Sequence, residues 1–444
     1  LEEMKKAQQP VEITAAEADL ARGAVTVKNT HSFRDLGFAT LRWQLTDSGV
    51  VVEEGDLGRL DIPPQESRVV EVPFRQPDSA LPGQEYWLNL SLVVAEPLAW
   101  APVGHELAWE QMRLPIAPPP RPALDDGELA PLAVEESDTD YTIRGETFEV
   151  VFARSDGLLS ALSLDGQPIL RRGPVTNLWR APTDNDRGAG PGFAQPYGRL
   201  WADMGLDRLS LEDVSVTARQ VSPALVAVGV QGVLRGEGAA FDLSLSYAVA
   251  GNGDILVGQE LTAHRRLSSL WTKVLLGFLV AWAVVGGLRR FTGGRAFRRW
   301  WARVPLVLLG LATLAAVGLS VRDYRSLDPL PRVGTELLLP LECDRLEWYG
   351  RGPHESYADR KAGARVGRYR GTVAEQHTPY AWPQENGNKT DVRWLTLTSD
   401  DGVGLLISGD ALNASVHQHT LQDLTAAEHT YDLEEADHAV SYTH

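Results

Sequence analysis

Along most of the chain, apolar residues fall on every second position. In AFDLSLSYAVAGNGDILVGQEL, Phe241, Leu243, Leu245, Tyr247 and Val249 alternate with small or polar residues, and Gly251-Asn252-Gly253-Asp254 separates them from a second apolar run. Period-two alternation on both sides of a turn segment predicts a hairpin. FEVVFARSDGLLSALSLDGQPI and VRWLTLTSDDGVGLLISG repeat the pattern, each broken at Asp-Gly. Helical periodicity is almost absent outside one region. The pattern therefore predicts a mainly β protein.

The alternation lapses in IAPPPRPALDDGELAPLAVEESDTD, where Pro and acidic residues crowd together, and this predicts a linker over residues 115–138. Residues 1–114 have the size of an immunoglobulin-like β-sandwich. Residues 139–444 predict a much larger sandwich. No repeat of solenoid type is present.

The exception is a pair of apolar runs, LSSLWTKVLLGFLVAWAVVGGL and VPLVLLGLATLAAVGLSV, each near the length that crosses a bilayer. Between them Arg289, Arg290, Arg295, Arg298, Arg299 and Arg303 form a basic loop, with Trp300 and Trp301 where an interfacial belt would sit. Beyond Thr272, Lys273 and Thr313 the runs have almost no polar stripe, unlike helices that face a soluble core. Residues 267–325 are thus expected to form a membrane helical hairpin inserted in the second sandwich. By the positive-inside rule its loop faces the cytoplasm, with the flanking β segments on the other side. Two buried helices, or an error of sequence assembly, are the alternatives. Without a membrane hairpin, a cytoplasmic protein is expected.

A net charge of -17 excludes nucleic acid as a partner, because phosphates repel such a surface. Cys343 is the only cysteine, which excludes an intrachain disulfide and a multi-cysteine zinc site. The chain opens on LEEMKKAQQP, with no initiator Met or signal peptide, and reads as an excerpt of something longer.

Chemistry is most concentrated in EWYGRGPHESYADRK, residues 347–361. Glu355 and His354 have the types for a general acid and base, and Glu355 with Asp359 for a carboxylate pair. The structural reading is a tight turn at Gly350, Gly352 and Pro353, locked by ion pairs among Glu355, Asp359 and Arg360. A spacing of four does not fix the separation of roughly 5 to 5.5 Å that retaining glycosidases use. His417 and His419, with Glu428 and His429 nearby, offer too few ligands for a zinc site.

WYGRGPHESYADRK, followed by TPYAWPQENGNKTDVRW and preceded by LWRAPTDNDRG, resembles the C-terminal region of bacterial β-galactosidases of glycoside hydrolase family two. LEEMKKAQQPVEI and GHELAWEQMRLP resemble the sandwich domain before that region. The likeness runs nearly end to end; the apolar insertion departs from the family pattern.

The resemblance implies an immunoglobulin-like sandwich followed by a supersandwich related to the galactose mutarotase fold. It implies that both catalytic glutamates sit on a barrel domain preceding residue 1, so no catalytic residue is expected here. The family's closing Gly-Gly-Asp-x-Ser-Trp type segment, whose Trp reaches the sugar, is not reached before AVSYTH. Magnesium and sodium are implied for the whole enzyme, with ligands mainly on the barrel, and no metal residue is expected here. The implied partners are a β-galactoside such as lactose, the barrel and further copies of the chain.

On the same footing, Trp348, Gly350, Gly352, Pro353, Glu355, Tyr357, Asp359 and Arg360 are expected to be scaffold, as are Pro379, Tyr380, Pro383, Glu385, Asn386 and Gly387. Glu385 and Asn386 are expected to hold a loop by hydrogen bonds. The resemblance places Arg180, Asp184, Asn185, Asp186 and Gly188 beside the active-site mouth, with Gly188 as the hinge of a Gly-rich closing loop. The plainer reading of Asp184 to Asp186 is an Asx-type turn. Alternatives for the whole are a non-catalytic carbohydrate-binding or membrane-tethered module, and a mutarotase-like epimerase using a His and a carboxylate.

Overall fold

The computed structural model describes residues 1–122, 126–188, 196–264, 330–434 and 438–443. Among the described residues the strands form five sheets, and every pairing is antiparallel. The mainly β reading holds.

In the N-terminal unit one sheet orders Val11–Thr14, Ala24–Asn29 and Ser67–Glu71, and the other orders Val50–Arg59, Ala39–Asp47, Tyr86–Val94 and Glu106–Arg113. Alternation explains how they meet. Along Ala39–Asp47 the side chains of Leu41, Trp43 and Leu45 are buried while Arg42 and Gln44 face water. They join Val11, Ile13, Val25 and Val27 of the smaller sheet in a shared apolar core.

Three sheets build the rest. A five-stranded sheet runs from Gln167–Pro168 through Leu159–Leu164, Phe148–Ala153 and Asp140–Arg144 to Ala133–Glu136. A four-stranded sheet takes Ser210–Ser222, Leu225–Arg235, Ala240–Ala250 and Ile255–Ala263 in order. The seven-stranded sheet orders Arg172–Asn177, Gly334–Leu339, His438–Thr443, Gly404–His417, Lys389–Thr398, Arg345–Gly352 and Arg365–Thr372. One core connects them, with the Phe152 and Tyr247 rings 4.9 Å apart between the five- and four-stranded sheets.

The three expected hairpins form. Phe241 to Val249 pairs with Ala263 to Ile255, Phe148 to Phe152 with Leu164 to Leu159, and Thr398 with Gly404. The expected linker needs correction at its end, because Ala133–Glu136 pairs with Asp140–Arg144 as an edge strand. The strand is four residues long and only Val134 packs against the core, too short a stretch to show a period of two. The hairpin expected at residues 267–325 lies outside the described residues. Among the described residues, no helix is long and apolar enough to cross a membrane.

The two units meet at the edge strand Arg365–Thr372. The Gln111 amide donates to the Val366 carbonyl at 2.7 Å and accepts from its N–H at 2.8 Å, which occupies an edge otherwise open to further strands. Arg365 pairs with Glu106 at 2.6 Å and lies over the Trp109 ring.

Candidate functional site

The site is built around residues 378–388, where the three quoted motifs converge. From one side comes the single-turn helix Asp184–Arg187, capped by Thr183. The Thr183 hydroxyl accepts from the Asp186 N–H, and Asp186 Oδ2 accepts from the Thr183 N–H at 2.9 Å, so each closes the other's open backbone donor. Both Asp186 oxygens also take hydrogen bonds from Arg180, at 2.8 and 2.9 Å. Asp186 is buried and fully committed. Asp184 and Asn185 instead turn their side chains to water, while the Asp184 N–H donates to Gln384 at 3.0 Å. The local motif is thus a capping box, not an Asx turn. Gly188 ends the helix at φ +80°, a conformation that strains any residue with a β-carbon. The closing loop expected beyond it falls on residues 189–195, outside the described residues.

From the other side comes the Gly-Pro turn. Glu355 accepts from Arg360 at 2.5 Å, from the Tyr380 hydroxyl, and from the Gly387 N–H at 2.9 Å. Burial pushes this carboxyl up, but the Tyr380, Gly387 and Arg360 donors outweigh it and hold it below its ordinary value. A carboxylate kept ionised by three donors is a poor proton donor, which argues against Glu355 as a general acid. His354 is half-buried, and burial lowers its pKa. Asp359 is exposed and forms no ion pair among the described residues, so the lock expected of Glu355, Asp359 and Arg360 comes from two of the three.

The remaining motif residues set backbone approach. A β-carbon at Gly350 would lie 2.8 Å from Val392 Cα, and one at Gly352 2.8 Å from the Tyr369 ring. The Gly352–Pro353 peptide is cis. Trp348 packs on Tyr369, its indole N–H donating to the Arg351 carbonyl at 3.1 Å. Tyr357 exchanges two backbone hydrogen bonds with Arg360, and burial raises its hydroxyl well above the ordinary value.

Between the two sides, Glu385 pairs with Arg332 at 2.6 Å, and its N–H donates to the Ala181 carbonyl at 3.2 Å. Asn386 accepts from the Thr378 N–H at 3.0 Å and donates to the Gln384 carbonyl at 2.9 Å. Arg187 donates to the Pro383 carbonyl at 3.2 Å. Gly387 has φ +70°, and a β-carbon there would meet the Gln376 carbonyl oxygen at 2.7 Å. Pro379 lies in this same connection, beside Tyr380.

This convergence of motifs distant in sequence agrees with a family model described as beta galactosidase small chain, which matches residues 144–444. The chain belongs to that family. A second model, described as beta-galactosidase domain 4, matches residues 25–115. Curated relatives include the beta-galactosidase of Priestia megaterium, 27% identical over 98% of this chain and 35% of its own length. That of an Arthrobacter species is 29% identical over 99% and 38%, and that of Vibrio cholerae 29% identical over 98% and 35%. The chain spans little more than a third of the length of these relatives. The Aspergillus nidulans amine oxidase structure, 10% identical and covering 97% of this chain and 64% of its own, aligns at a TM-score of 0.23, too low to bear on the fold.

The small-chain motifs conceal several residues that sequence reasoning passed over. Lys389 is buried, its ammonium donating to the Gly387 carbonyl at 3.2 Å and facing Trp348; burial lowers its pKa to about 8. Asp391 binds Arg351 at 2.5 Å and Lys361 at 3.0 Å. Arg332 and Glu385 are far apart in sequence, so no spacing marks them as a pair. His417 is buried with neither ring nitrogen bonded. His419 contacts the Glu434 carbonyl at 2.7 Å. Among the described residues, no group of three or more His, Cys, Asp or Glu is placed to hold a metal ion.

Proposed function

We propose that this chain is the C-terminal, non-catalytic part of a retaining β-galactosidase that hydrolyses terminal β-D-galactosides such as lactose. The single observation behind this reading is the match of nearly the whole chain to a third of proteins named beta-galactosidase. In this reading an acid/base glutamate and a nucleophilic glutamate lie on a separate barrel domain, and the reaction passes through a covalent galactosyl-enzyme. Magnesium and sodium would be held mainly there, as the family resemblance implies. The chain supplies an immunoglobulin-like sandwich, a mutarotase-like supersandwich and one rim of the sugar site. Asp184 and Asn185 are the rim residues free to meet substrate. Self-association completes the assembly. A membrane tether at residues 267–325 rests on the sequence alone, and membrane partitioning of the chain with and without that segment tests it.

The engaged state of Glu355 supports the division of labour, because the carboxylate best placed in the most enzyme-like motif is committed to three donors and is not available for bond cleavage. The test is complementation on a chromogenic galactoside. The isolated chain is expected to be inert, and pairing it with a family barrel should restore hydrolysis. Steady turnover by the isolated chain would overturn the reading.

A further inference from the structure

The core face of the seven-stranded sheet holds a small cavity that the glycosidase reading does not use. Its walls are Leu346, Trp348, Val392, Leu395, Ala414 and Val416, carried by three neighbouring strands. At about 10 Å³ it has room for about one guest of water size. Lys389 lines the same cavity and is 5% exposed. Among the described residues its one oxygen partner is the Gly387 carbonyl at 3.2 Å, although an ammonium has three N–H groups to place. Lys6, Lys28 and Lys361 each lie within 3.0 Å of a carboxylate, whereas no carboxylate of the described residues comes that close to Lys389. The Gln376 amide, also at the cavity, donates to the Thr372 carbonyl at 2.9 Å. These surroundings favour the neutral amine, and burial lowers the Lys389 pKa from 10.5 to about 8.

We propose that Lys389 and its cavity form a covalent capture site for a one-carbon carbonyl compound, of which formaldehyde is the simplest. The neutral Nζ adds to the carbonyl carbon and one N–H proton passes to the oxygen. The resulting carbinolamine expels water with the second proton, leaving an Nζ=CH₂ imine. No oxidant or reductant is consumed. The cavity sets the size limit, because a larger aldehyde would force its substituent into closely packed walls. Charge excludes the other guest of similar size. Carbon dioxide would turn the amine into a carbamate, an anion that these apolar walls cannot solvate and that the Glu355 charge repels. The imine is uncharged, and when protonated it keeps the contacts the ammonium has now, the Gly387 carbonyl and the Trp348 ring 5.3 Å away. Besides Glu355, the titratable groups coupled to Lys389 are His354 and His417, and burial lowers the pKa of both, so neither is charged near pH 8.

The capture chemistry does not depend on the glycosidase reading. It is tested on the full chain with isotope-labelled formaldehyde and a borane reductant, which adds hydride to the imine carbon and leaves a methyl group on each amine that reacted. Digestion and mass spectrometry then give a rate for each lysine, with N-acetyl-lysine amide in the same tube as the free amine. Lys389 is expected to be methylated readily, with a rate that levels off above about pH 8, while the free amine keeps gaining about tenfold per pH unit there. A bulky aromatic aldehyde should mark the more exposed Lys28 and leave Lys389 unmarked. Ala414→Val adds bulk to the cavity wall and should slow Lys389 several-fold without changing Lys28. If that variant fails to fold, the wild-type pH profile and the aldehyde comparison decide. The site is overturned by a Lys389 left unmethylated in the folded chain, by a rate still climbing beyond about pH 9, by equal labelling with the bulky aldehyde, or by an unchanged Lys389 rate in folded Ala414→Val.

Discussion

Glu85 of the N-terminal unit sits 2.9 Å from the Arg393 guanidinium of the seven-stranded sheet, and both side chains are largely buried. The same carboxylate accepts from the Tyr349 hydroxyl at 3.2 Å and from the Trp87 indole at 3.2 Å. A carboxylate with this many donors across a junction couples the two cores, since removing it leaves Arg393 and Tyr349 facing an empty acceptor. Tyr349 reflects the same environment: burial first, then the Glu85 charge, raises its pKa above the usual tyrosine value.

Glu85→Ala should therefore cost about 1–3 kcal/mol, the penalty for orphaning buried donors. It should also split a single calorimetric transition into two, because the units retain separate cores. Scanning calorimetry of the variant checks both. One unshifted transition would show that the junction transmits nothing.

The Arg332–Glu385 pair is more deeply enclosed, at 9% and 1% side-chain exposure. Glu385→Ala leaves a buried guanidinium without its counter-charge, and such losses run to about 3–5 kcal/mol. Replacing both partners by apolar residues of similar volume should recover most of that loss. Urea unfolding of the single and double variants measures the difference. Equal destabilisation in the two would mean that the turn, not the charge pair, holds residues 378–388.

How far these pairs could be foreseen follows from their spacing. Hairpins such as Ala240–Ala250 with Ile255–Ala263 are legible because period and turn lie within one short window. The capping box at Thr183 and Asp186 lies in a four-residue window too, but a polar side chain before a turn predicts an Asx turn equally well. Arg332 with Glu385, and Glu85 with Arg393, join segments that only the folded sheets bring together. Ala133–Glu136 is hard to foresee because in four residues only Val134 packs against the core. The Gly-Pro turn was legible as scaffold, whereas the idleness of Asp359 within it was not, since charge type does not disclose orientation.

His417 gives a pH dependence of definite sign. It is fully buried, and desolvation, aided by Arg332, His377, His419 and Lys389, lowers its pKa to about 3. In the unfolded chain it titrates near its ordinary value of 6.5. Between those values the unfolded state binds a proton that the folded state refuses, so stability falls as pH falls from about 6.5 to about 3. His417→Phe should flatten the acid limb of the stability curve within that window and leave its slope above pH 7 unchanged. Chemical denaturation from pH 4 to 8 is the measurement, and an acid limb as steep as the wild type's would refute the assignment.

Glu355 acts in the same direction by the opposite route. Its folded pKa lies below the ordinary carboxylate value because the Tyr380, Gly387 and Arg360 donors outweigh burial, so the ionised form stabilises the fold. That stabilisation is fully present above the unfolded carboxylate pKa and is lost as pH falls through the lower, folded one. Glu355→Gln keeps the shape but exchanges an acceptor-only group for one that also donates, and its terminal nitrogen confronts either Arg360 or the Gly387 N–H. The variant should be less stable than wild type at neutral pH, and the gap should close on acidification below the carboxylate range. Were Glu355 instead an acid held protonated for catalysis, the gap would widen with acid, because the wild-type carboxyl would gain its working proton there. Stability curves of the two proteins from neutral pH to pH 3 separate a locked turn from a hidden catalytic acid.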